Sequence, residues 1–169
     1  DFEEEDFLSA ELEIVPADKA RDLGFDRSMV LAYGQDDKIC AWTSLFAMLD
    51  VEAPKRTACT LLVDKEEIGS VGASGMHSHF FENTTAELLN LMGLSSDLAV
   101  RRTISRSKML SSDVSAGYDP LYADAFEKKN AAFLGKGIVF NKFTGSRGKS
   151  GSNDANAEYI AQIRKIMDE

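Results

Sequence analysis

Residues 57–63, TACTLLV, form a short, apolar, β-branched run between Pro54 and the acidic string Asp64-Lys65-Glu66-Glu67. A strand with no alternation of apolar and polar residues is buried on both faces, as in mostly parallel sheets covered by helices. Helical periodicity is present to cover it. Ile39, Trp42, Leu45, Phe46 and Leu49 fall on one stripe over residues 38–50, directly after Gly34-Gln35-Asp36-Asp37, which puts both aspartates at the mouth of a helix. Residues 80–92 (FFENTTAELLNLM) repeat the pattern and stop at Gly93. A last helix over about residues 154–167 carries Tyr159, Ile160, Ile163 and Ile166 on its apolar face, with Ser152 or Asn153 as N-cap. Further strands are expected at 9–15 (SAELEIV, ended by Pro16), ending near Leu110, and at 137–143 (GIVFNKF). Strands alternating with helices make this an α/β layered domain. Trp42 and the Phe80-Phe81 pair lie on apolar stripes and are expected in the core. The final stripe runs to Glu169 with nothing after it to cover it, so a segment of a longer chain is expected.

Charge narrows the function classes. Lys and Arg number 19 against 28 Asp and Glu, a formal net charge of -9, so generic phosphate-backbone binding would work against the protein's own field. No nucleic acid partner is expected. No run approaches the roughly 20 apolar residues of a membrane span, and the N-terminal DFEEEDF is the reverse of a basic signal-peptide start. Cys40 and Cys59 lie in apolar runs and are expected as buried, reduced thiols, which suits a cytoplasmic protein.

Chemistry resides in the acids, and their placement matters more than their number. With 28 acids in 169 positions, about five adjacent acidic pairs arise by chance; six occur. However, Asp36-Asp37, Glu66-Glu67 and Asp113 each stand where an apolar element meets a loop, and strand C-termini form the ligand crevice of open α/β sheets. Carboxylates converging there repel one another and titrate upward unless a cation neutralises them, and a divalent metal does so. In extended backbone Glu66 and Glu67 would point to opposite sides, one toward metal and one toward substrate as a base. The competing account is that these acids only solvate loop ends.

The strings GQDDKICAWTSL, LLVDKEEIGSVGASGM and LSSDVSAGYDP, in this order and separation, resemble the aspartyl aminopeptidase, or aminopeptidase I, family of co-catalytic zinc peptidases, closest to a bacterial branch. The likeness extends through ELEIVPADKARDLGFDRSM and LGKGIVFNKFTGSRGKSG, and VDKEEIGS is its most specific element. It implies a three-layer α/β/α zinc-peptidase-like catalytic core, partial here, over residues 31–169. Residues 1–30 would be the end of an inserted β-rich oligomerisation domain and its return connection. It further implies two divalent metal ions, zinc, with Asp36 bridging them, Glu67 and Asp113 each holding one, and Glu66 as the general base. Peptide substrates with a free N-terminus and self-association into a homo-oligomer, the family's dodecamer, follow as implied partners. Two metals about 3.5–4 Å apart acidify a shared water and polarise the scissile carbonyl.

Departures from the family's pattern are informative. The resemblance places two further ligands, both histidines, in regions this sequence does not contain, while His77 and His79 match no ligand position. Two histidines at the start of a helix diverge, so a loop or helix-start role is expected of them. Many relatives carry histidines where Ala116 and Asp119 stand, and Asn141, beside Lys142, falls where aspartyl-preferring members place a lysine; acidic specificity is therefore not expected. GSRGKSG at 145–151 fails as a phosphate-binding loop, because Phe143 occupies the position of the required first glycine. An isolated segment lacking both histidines is expected to turn over weakly or not at all. The alternative to the peptidase is a non-catalytic fragment of such an enzyme, which folds or assembles without metal.

Overall fold

The structure is a computed structural model, and it describes residues 1–144 and 153–169. The phosphate-loop question at 145–151, and Ser152 as a cap, lie outside the described residues. The chain divides into two compact units, Asp1–Thr60 with Ser111–Val114, and Leu61–Leu110 with Ser115–Glu169.

In the first unit, α1 (Glu4–Leu8) is followed by a hairpin of β1 (Arg21–Leu23) and β2 (Met29–Leu31), antiparallel with Asp22 opposite Val30. Gly24, at φ 91°, takes the left-handed conformation the turn needs, and its carbonyl accepts from Arg27 N–H at 3.2 Å. Helix α2 (Gln35–Leu49) follows within a residue of its expected end. The stripe is present, but it faces outward: Trp42 and Phe46 stack on each other at 5.5 Å and both remain more than half exposed.

In the second unit, α3 (Phe80–Leu91) and α4 (Asp97–Ser105) pack as a pair and bury Leu89 and Val100, the buried apolar side chains among the described residues. Local sequence sets this corner. Gly93, at φ 78°, closes α3 in a Schellman arrangement, with Leu94 N–H donating to Leu89 C=O at 2.8 Å and Gly93 N–H to Asn90 C=O at 2.9 Å. Ser96 then caps α4 by accepting from Ala99 N–H at 3.1 Å. Strands β3 (Phe143–Thr144) and β4 (Asn153–Asp154) pair antiparallel, and α5 (Ala157–Met167) is capped by Asn156, which accepts from Tyr159 N–H at 3.0 Å.

The chain thus mixes helices with small sheets, and several expected strands are absent as ladders. Residues 9–15 and 57–63, the segment ending near Leu110, and most of 137–143 carry no strand pairing. The physical reason is that a strand is completed by its neighbour's hydrogen bonds, and among the described residues none lies alongside them. Burial differs for the same reason: Cys59 is exposed and Cys40 only half-buried, Trp42 and Phe80 are exposed, and Phe81 is half-buried. Among the described residues no helix is long and apolar enough to cross a membrane.

Candidate metal centre

Two expected site residues come together in the first unit. Gly34, left-handed at φ 75°, turns the chain into α2, and the Gln35 side chain donates to Val30 C=O, tying that turn to β2. Asp36 and Asp37 follow in non-helical conformations (ψ 105° and 41°), joined by a cis peptide bond, before the regular turns begin. Asp37 accepts from Cys40 N–H at 3.2 Å and so serves the helix start as a cap. Asp113 arrives from residues 111–114, with its own Oδ1 accepting from Val114 N–H at 2.7 Å. One oxygen each of Asp36, Asp37 and Asp113 lies within 4.8 Å of the others.

Like charges at that spacing leave a mark. The Asp113 carboxyl is pushed above the ordinary aspartate range, first by partial withdrawal from water and then by the negative charges of Asp37 and Asp36, against the Val114 N–H that lowers it. The half-buried Cys40 thiol is also pushed up, by burial, by its hydrogen bond to Asp37 and by the charges of Asp37 and Asp113, with Ser112 opposing. Cys40 is therefore a poor nucleophile here. Three carboxylates gathered at that spacing form a hard, anionic donor set, and zinc takes such oxygens at about 2.0–2.2 Å. The residues present fit a divalent cation.

Glu66 and Glu67 belong to the second unit, in a 3₁₀ turn Glu66–Ile68 between left-handed Lys65 (φ 65°) and Gly69 (φ 93°). The extended backbone expected here is absent; a 3₁₀ turn has three residues per turn, so consecutive side chains diverge by about 120° instead of alternating. Backbone hydrogen bonds hold this loop: Ser70 N–H to Lys65 C=O at 2.7 Å, Asp64 N–H to Ser74 C=O at 3.1 Å, and His77 N–H to Ser70 C=O at 3.0 Å. Gly75 makes the packing possible, since a Cβ there would stand 2.2 Å from the Ser70 carbonyl oxygen. His79 precedes α3 with Nδ1 3.4 Å from the Glu82 carboxylate, and no metal-ligand group among the described residues includes His77 or His79.

The substrate-side positions have plain local roles. Asp119 accepts from Leu121 N–H at 2.8 Å, and Asn141 donates to Ser115 Oγ at 3.1 Å. Asp37 joins the cluster although the family resemblance assigns a metal role only to Asp36 of the doublet. Its signal was position, one residue before the regular helix, where a carboxylate can cap and ligate from the same spot.

Comparison with known proteins now decides the family. The family model described as aminopeptidase I zinc metalloprotease (M18) matches residues 1–168. The chain belongs to the M18 family. Among curated M18 relatives, the "Probable M18 family aminopeptidase 1" of Clostridium acetobutylicum is 64% identical over 99% of this chain and 36% of its own length. The crystal structure of aminopeptidase I from Clostridium acetobutylicum matches with a TM-score of 0.84 and 63% identity, over 99% of this chain and 36% of that one. That of the M18 aminopeptidase from Thermotoga maritima matches with a TM-score of 0.83 and 39% identity, over 91% and 34%. The chain therefore spans little more than a third of the M18 proteins it resembles.

Proposed function

We propose that this chain is the central part of a metal-dependent aminopeptidase that removes the N-terminal residue of peptides. The observation that carries the proposal is the meeting of Asp36, Asp37 and Asp113 oxygens within 4.8 Å of one another. M18 membership over residues 1–168, in a family described as zinc metalloproteases, supports the hydrolase class and zinc. In this scheme Asp36, Asp113 and Glu67 would hold the zinc ions, and Asp37 fixes the start of α2. Such ions, when bound, supply polarisation of the scissile carbonyl and acidification of a water. Glu66 takes the water's proton and later delivers it to the leaving amine, which a carboxylate can do within hydrogen-bond reach. The compact 64–79 loop supports that role by fixing the backbone that carries Glu66.

The same proposal includes the three-layer α/β/α core, formed with polypeptide beyond these residues, the assignment of residues 1–30 to an oligomerisation domain and 31–169 to the catalytic core, assembly into a homo-oligomer, and a cytoplasmic setting. A second possibility is favoured by one observation. Leu89 and Val100 are the buried apolar side chains among the described residues, so the isolated chain lacks the packed support a catalytic site needs and is a non-catalytic fragment that folds or assembles without metal. Zinc titration followed by aminoacyl-anilide assay separates the two. The proposal predicts that Asp36→Asn weakens zinc binding at least about tenfold, the scale of losing a metal-site group, and that any hydrolysis disappears in Glu66→Gln while zinc stays bound. Unaltered zinc affinity in Asp36→Asn would refute it, and full activity in Glu66→Gln would remove Glu66 as the base.

A further inference from the structure

The densest basic run of the chain lies along α4 and serves neither the carboxylate cluster nor the turn at Glu66. Residues 98–112 hold Arg101, Arg102, Arg106 and Lys108 and no Asp or Glu, where this composition would place about two or three acids. On α4 the stripe Leu98, Arg101, Arg102 and Ser105, spaced i, i+3, i+4 and i+7, lies opposite the buried Val100 and is exposed along its length. Arg101 pairs with Asp97 at 2.8 Å, Lys108 rests on the neutral Gln162 and Tyr159 side chains, and among the described residues no carboxylate pairs with Arg102. Cations near a helix C-terminus answer its dipole. That accounts for Arg102 and Arg106, but not for an acid-free run that continues past the helix to Lys108.

The densest acidic run is its counterpart. Asp1, Glu3, Glu4, Glu5 and Asp6 fall within six residues and are all exposed. Glu3 and Asp6 are engaged with backbone in the capping box of α1, Glu3 N–H donating to Asp6 at 3.0 Å, while among the described residues no cation pairs with Glu4 or Glu5. The exposed Phe2 and Phe7 rings stand 6.2 Å apart in the same segment. Exposed ion pairs contribute little singly, so a docking contact needs both the carboxylate forks that arginine grips and apolar area beside them; α1 offers the acids with Phe2 and Phe7, and α4 the arginines with Leu98. We infer that the arginine strip of α4 is an interaction surface for the acidic α1 segment of a second copy of this chain. Each copy carries both pieces, so a two-fold pair makes the contact twice. The net charge of -9 opposes association in general, which is why the contact joins the two pieces of opposite sign. A polyanion that runs on past the strip meets the acid-rich remainder of the chain, whereas the charge of α1 ends within six residues. The inference rests on the self-association included in the proposed function, which it supplies with a contact, and not on the metal chemistry.

The test is sedimentation velocity of the 169-residue chain in chelator, with charge reversals on each side of the contact. The expected result is a dimer whose dissociation constant rises at least about tenfold between about 20 mM and about 300 mM salt. The double variant Arg101→Glu with Arg102→Glu, and separately Glu4→Lys with Glu5→Lys, should each weaken the dimer at low salt at least about tenfold, with helix content by circular dichroism unchanged. An equimolar mixture of the two should associate again, because the reversed α4 of one meets the reversed α1 of the other. Lys129→Glu, outside the strip, should leave the dimer as it was. Association that survives both reversals would overturn the contact and leave self-association standing. A mixture that stays monomeric would likewise overturn the contact, and a chain monomeric at every salt concentration would overturn both the contact and the self-association of these residues. Zinc titration reads the peptidase proposal independently of all these outcomes.

Discussion

Asp113 carries the electrostatic strain of the candidate centre. Burial and the charges of Asp37 and Asp36 raise its carboxyl above the usual range, and the sign of the consequence follows. A carboxyl raised in the folded state is easier to protonate there than in the unfolded chain, so ionising Asp113 destabilises the fold as pH rises through its raised value. Metal-free chain is therefore predicted to gain stability on acidification through that window, and Asp113→Asn to leave the metal-free melting temperature at pH 7 unchanged or raised; thermal melts with and without chelator check both. Zinc reverses the sign, because a bound cation favours the carboxylate. An NMR titration of the Asp113 carboxyl should show it above the normal aspartate value without zinc and below it with zinc.

At the scale of elements, local signals were legible and pairing was not. The periodicity of α2, α3 and α5, the stop at Gly93 and the aspartates at the mouth of α2 all depend on neighbours within a few residues, which the sequence displays. The run at 57–63 reads as a buried strand because its side chains would be buried in a sheet, yet a strand exists only when another backbone lies beside it. The cap of α5 moved to Asn156 from the expected Ser152 or Asn153, since β4 occupies 153–154. The 3₁₀ turn at Glu66 was illegible because left-handed Lys65 has no glycine to announce it. Two predictions belong here. Ser96→Ala should cost about 1 kcal/mol of α3–α4 stability, measured by denaturant melts. Gly75→Ala forces a Cβ against the Ser70 carbonyl, and exchange at the His77 amide should quicken at least tenfold; an unchanged rate would show that the loop tolerates the methyl.

For the molecule as a whole, the exposed stripe of α2 and the unpaired apolar segments share one explanation: these 169 residues match little more than a third of the length of their M18 relatives. Chains of about 150 residues ordinarily bury near 70% of the surface their unfolded state exposes, whereas Trp42, Phe46, Leu62 and Phe80 here remain more than half exposed. The chain alone should consequently bind an apolar dye and melt with low cooperativity; a sharp, dye-free melt of the isolated chain would contradict this. The carboxylate meeting point lies within a single unit. Its most direct test is a crystal of the zinc-soaked protein measured on both sides of the zinc absorption edge. An anomalous peak between the Asp36 and Asp113 oxygens is the predicted result; a map without one, in which the two carboxylates have turned apart into solvent, would contradict the metal centre itself.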